Sequence, residues 1–85
     1  MGLETGMLVK SKAGRDKGHI YVVAGTENGY VYVADGDARP LCRMKRKNIR
    51  HLQPVFRMRL DAEPEDAAIR EIIKEFTRQG DMSLE

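Results

Sequence analysis

The sequence predicts a mainly β fold, a small five-stranded barrel followed by one amphipathic C-terminal helix. Short strand-like segments succeed one another between tight turns across the first two thirds of the chain, and a strongly curved sheet is the most economical way to hide so many edges. Two of these segments flank Asn28-Gly29, the dipeptide that most strongly marks a two-residue hairpin. Beyond them, Ile69, Ile72, Ile73 and Phe76 recur at i, i+3, i+4 and i+7, the signature of a helix with one apolar stripe.

The elements follow in order. In "GMLVKSKAG" the period of two puts Leu8, Lys10 and Lys12 on one face and Met7, Val9 and Ser11 on the other, as a strand requires. "HIYVVAG" and "YVYVADG" are dense in β-branched and aromatic residues and should pair antiparallel. After the "DGDARP" turn, where Asp35 and Asp37 read as turn formers, "LCRMKRKNIRHLQP" is expected to hold two short strands, near 41–45 and 50–53. A tight turn near Lys47-Asn48 would separate them. Pro64 suits a first helical turn, Glu63, Glu65 and Asp66 suit the positive helix end, and Gly80 suits a C-terminus. The expected division is therefore a barrel of the SH3-like kind over 1–55, a linker over 56–62, a helix over 63–80 and a disordered tail over 81–85.

A chain of 85 residues supports one domain, which at this size buries only about 60% of its surface. No apolar run reaches the roughly 20 residues that cross a bilayer, and the N-terminus lacks the order of a secretory signal, so a cytoplasmic protein without membrane contact is expected. A single cysteine, Cys42, permits no internal disulfide and reads as a small core residue. The formal net charge of +2 hides an asymmetry. Residues 1–60 carry 12 Lys/Arg against 5 Asp/Glu, a net of +7, and residues 61–85 carry 3 against 8, a net of −5. A basic body with an acidic tail points to a polyanionic partner.

Two clusters carry that charge. In "GRDKG", Gly14 and Gly18 allow a sharp turn, and Arg15 and Lys17, with backbone N–H groups freed by the turn, would make a phosphate-binding tip. A well-formed turn with solvated charges is the alternative. In "CRMKRKNIRH", a strand would bury Cys42 and Met44 and fan out Arg43 and Lys45, with Arg46, Lys47 and Arg50 following. Phosphate contact or a solvated basic face both fit this run. Tyr30 and Tyr32 share a strand face and either stack unpaired bases or pair across strands over a small core. His19 and His51 lack neighbours at metal-ligand spacing, and no nucleophile elbow, dinucleotide fingerprint or P-loop is present, so neither an enzyme nor a metal or cofactor site is expected.

"TGMLVKSKAGRDKGHIYVV" resembles the KOW motif of large-subunit ribosomal proteins and transcription elongation factors. The matching elements are Gly6 at the head of a strand, the alternating "MLVKS", and the glycine-basic-glycine loop ending in Lys17-Gly18. "GYVYVADG" and "RPLCRMKRKNIRHL" are similar to the ribosomal KOW proteins of archaeal and eukaryotic type and their small bacterial relatives, so the resemblance spans about residues 5–53. Where many KOW motifs continue with another glycine, this chain has His19, Ile20 and Tyr21. The resemblance implies an SH3-like barrel that binds RNA, often ribosomal RNA, through its loops, with Arg15, Lys17 and Gly18 in the matching loop positions. Charge and strand geometry add Arg43, Lys45, Arg46, Lys47 and Arg50. The expected function is a non-enzymatic RNA-binding protein of the translation apparatus, a ribonucleoprotein component. The rival is a module that docks a ribosomal protein, a polymerase or a second copy of itself through the barrel or the helix.

Overall fold

The computed structural model describes residues 2–79. Five strands, β1 (Met7–Ser11), β2 (Ile20–Glu27), β3 (Tyr30–Ala34), β4 (Lys45–Asn48) and β5 (Leu52–Arg59), precede one helix, α1 (Asp66–Arg78). All neighbours pair antiparallel in the order β4-β3-β2-β1-β5. The expected barrel is not closed: β4 and β5 form the two ends of an open sheet.

Curvature replaces closure. The β1–β5 register jumps between Met7 and Leu8, and the β2–β3 register jumps between Val23 and Gly25. Such irregularities bend a strand and increase its twist. The bent sheet folds over one of its own faces, where Met7, Val9, Tyr21, Val23, Val31, Val33 and Leu52 pack into a first core with Leu3 against it. The opposite face presents Leu8, Val22 and Ala34, and these pack with Ile69 and Phe76 of α1 into a second core. Strand β1 is thus apolar on both faces because each face has its own cover, Leu8 and Val9 both being fully buried. The helical stripe read from the sequence occupies the sheet, each well-buried Ile or Phe contributing about 1.5–3 kcal/mol.

The hairpin forms at Asn28-Gly29, with Glu27 opposite Tyr30. Only Gly29, at φ 75°, takes the left-handed position, so the turn is not the doubly left-handed I′ type. The region after it departs from expectation. Residues 41–43 form a single 3-10 turn behind Pro40 instead of a strand, and Lys45–Asn48, where a turn was expected, is strand β4. The Asn48 side chain accepts the Arg50 N–H at 2.9 Å and moves the reversal on to a 3-10 turn at Ile49–His51. Strand β5 then runs to Arg59 through most of the expected linker. Its Pro54 sits opposite Val9 and is tolerated because β5 is an edge strand.

Helix α1 begins three residues later than expected. The residue before a proline disfavours helical geometry, and Glu65 is extended as N-cap, so Pro64 lies ahead of the first turn. Asp66 accepts the Leu41 N–H at 2.8 Å, and Arg70 donates to the Gly36 carbonyl at 2.7 Å, which docks the helix on the turn after β3. Gly80 and the expected tail over 81–85 lie outside the described residues. Among the described residues no helix is long and apolar enough to cross a membrane.

Candidate functional site

The loop between β1 and β2 is built around a carboxylate. Gly14 and Gly18 take φ 87° and 91°, as the turn demands. Part of the expected supply of free backbone N–H groups is used within the loop itself. Those of Lys17, Gly18 and His19 donate to the carbonyls of Gly14, Ser11 and Asp16 at 3.2, 2.8 and 2.8 Å.

Asp16 is the loop's anchor. Tyr21 donates its hydroxyl to Asp16 Oδ2 at 2.6 Å, and Ser11 Oγ lies 2.8 Å from Oδ1. Lys47 Nζ approaches Oδ1 at 3.1 Å and Lys45 Nζ approaches Oδ2 at 3.3 Å. Lys47 also donates to Ser11 Oγ at 3.1 Å. Burial alone would raise the Asp16 carboxyl, but the hydrogen bonds from Tyr21, Ser11, Lys47 and Lys45 outweigh it and hold the group far below the usual carboxylate range. The same burial, with the bond to Asp16, pushes the Tyr21 hydroxyl well above its ordinary value. This network caps the first core where β4 meets the loop.

Register explains which cations it takes. Lys45 lies opposite Val33 and Lys47 opposite Val31, so both point to the first core's face, while Arg46 lies opposite Tyr32 on the other. Lys47 is buried at 8% exposure and Lys45 is half-buried. Of the expected phosphate contacts, Arg15, Lys17, Arg43, Arg46 and Arg50 are exposed, as is Gly18. Lys45 and Lys47 bind Asp16 instead. The expected alternation around Cys42 is overturned as well: in the 3-10 turn Cys42 is exposed, and Met44 is 39% exposed, because no strand is there to turn them inward.

On the outer face of β3 and β4, beyond the part that α1 covers, Tyr30 and Tyr32 are half-buried. The Arg46 guanidinium stands 4.4 Å from the centroid of the Tyr30 ring, and Tyr32 donates its hydroxyl to Glu27 Oε1 at 2.6 Å. That bond raises the Tyr32 hydroxyl's pKa.

A second carboxylate fixes the other side of the loop. Asp35, 8% exposed, accepts the N–H groups of Asp37 and Arg39 at 2.8 Å each, and its Oδ2 lies 2.8 Å from His19 Nε2. Burial opposes its ionised form, but the backbone donors and His19 hold its pKa below the usual range. His19 also packs on Tyr21, ring centroids 4.6 Å apart. His19 and Tyr21 therefore tie the loop down.

Sequence reasoning found the exposed cations and missed Asp16, Ser11, Tyr21, His19 and Asp35 as their scaffold. One signal was legible: Ser11 and Tyr21 are polar groups in phase with the core positions Met7, Val9 and Val23. Among the described residues no group of three or more His, Cys, Asp or Glu side chains is placed to hold a metal ion. No known protein-family model matches the chain, and no curated protein matches it.

Proposed function

We propose that this chain is a non-enzymatic, cytoplasmic RNA-binding protein of the KOW type, with an SH3-like sheet, that contacts structured RNA of the translation apparatus through its phosphates, ribosomal RNA foremost. The observation that carries the reading is the sorting of cations by Asp16. Lys45 and Lys47 are drawn inward, while Arg15 and Lys17 on the loop and Arg43, Arg46 and Arg50 along β4 stay exposed around one edge of the sheet. A free edge strand bordered by five exposed cations is complementary to a phosphate backbone, and each phosphate neutralised releases counterions. The net charge of +7 on residues 1–60 supports the same partner. A helix that docks protein through its apolar stripe is the weaker reading, since Ile69 and Phe76 are already spent on the sheet.

The test is the salt dependence of binding to a ribosomal RNA fragment. The slope of log K against log [salt] is expected to be about −0.7 to −0.9 per phosphate contacted, and Lys17→Ala or Arg46→Ala is expected to flatten it by about one contact. Binding that ignores salt, or no binding at low salt, refutes the reading.

A further inference from the structure

The sheet face that carries α1 changes character along its width. Under the helix it is aliphatic, with Leu8, Val22 and Ala34 buried. Beyond the helix the register sets Gly25 and Glu27 of β2, Tyr30 and Tyr32 of β3, and Arg46 and Asn48 of β4 side by side. This strip contains no aliphatic side chain, and its tyrosines are half-exposed in spite of their size.

We propose that this strip is a stacking platform for unpaired RNA bases, which makes the preferred ligand single-stranded or looped RNA; the inference rests on the RNA reading above and deepens it. Residues two apart on a strand face lie about 6.5–7 Å from one another, so the Tyr32 ring is the neighbour of a Tyr30 ring that Arg46 covers on one face. Arg46, 4.4 Å from the Tyr30 ring centroid, adds a guanidinium plane of the kind on which bases also stack. Gly25, opposite Tyr32, supplies no side chain to shield that ring from the β2 side; even a Cβ there would only touch it, at 3.7 Å.

Charge orients the strand. Glu27 on the β2 side repels phosphate, whereas Arg46 and Arg50 on and beside β4 attract it. The backbone therefore runs along β4 with bases turned inward over the tyrosines. The Tyr32 bond to Glu27 and the Arg46 contact with Tyr30 hold the platform in place before RNA arrives, which lowers the ordering cost of binding.

The test compares a single-stranded oligoribonucleotide with a duplex RNA of equal phosphate count, using the full chain and the double variant Tyr30→Leu/Tyr32→Leu. Single-strand affinity is expected to fall by about 5- to 150-fold per stacked base, with duplex affinity unchanged; the duplex arm also reports that the variant is folded. Tyr30→Phe/Tyr32→Phe, which keeps the rings, is expected to recover most of the loss. Equal losses on both RNAs, or no loss on the single strand, overturn the platform and leave the phosphate reading standing. Failure of the unaltered protein to bind either RNA overturns both.

Discussion

Asp16 stands between two exposed cations in sequence, yet its side chain turns inward to four partners, Ser11, Tyr21, Lys45 and Lys47. Its removal strands the Lys47 ammonium in a site only 8% exposed. Asp16→Ala is expected to cost about 3 kcal/mol in urea denaturation, the usual consequence of leaving a buried charge alone. A loss under about 1 kcal/mol would show that water reaches Lys47 readily. The carboxylate also sets the acid response. Because its folded pKa lies below the unfolded value, its contribution is fully present above the ordinary carboxylate pKa of about 4 and is lost as the pH falls toward the folded value. Unfolding free energy should thus decline from about pH 5 downward, and Asp16→Asn should flatten that decline, leaving the smaller slope from Asp35, whose pKa is lowered too. Parallel slopes in the two proteins would remove Asp16 from this role.

Among the elements, the turn after β3 and α1 meet at a tight junction. At Gly36, φ 77°, a Cβ would lie 2.4 Å from the Asp66 carbonyl oxygen and 2.9 Å from Arg70 Cγ. Gly29 has nearly the same φ, 75°, but open space around it. Alanine at Gly29 is expected to cost about 1–2 kcal/mol of left-handed strain. Alanine at Gly36 should cost that and more, because the helix must lift off its docking turn. Equal shifts in Tm for the two variants would mean that the helix yields without cost. The β4 region shows why element boundaries escaped the sequence. Its residues are mostly charged, so periodicity carries little information there, and the strand exists because Asp16 neutralises the two lysines that face inward. The register that hides Lys45 and Lys47 while exposing Arg46 depends on β3, which lies more than ten positions earlier in the chain.

Across the whole molecule, one sheet serves two cores, with Leu8 and Val22 on one face and Val9, Tyr21 and Val23 on the other. Neither core can dissolve without releasing β1 and β2, so tyrosine fluorescence from the sheet and far-ultraviolet circular dichroism from α1 are expected to give coincident unfolding transitions. Separate midpoints would show that the helix is an independent appendage. Removal of the chain beyond Leu60 is for the same reason a test of folding, since it exposes Leu8, Val22 and Ala34. The local signals of the sequence sufficed for β1, for the β2–β3 hairpin, for the apolar stripe of α1 and for the exposure of Arg15, Lys17, Arg43, Arg46 and Arg50. These follow from period, turn chemistry and charge, all of which act over a few residues. Only the tertiary structure decided that the sheet stays open, that Leu8, Val22 and Ala34 are the residues its second face turns to the helix, and that Lys45 and Lys47 turn inward to a loop aspartate some thirty positions away. Those outcomes depend on strand register and on the pairing of buried charges between distant segments, interactions that no local window of sequence contains.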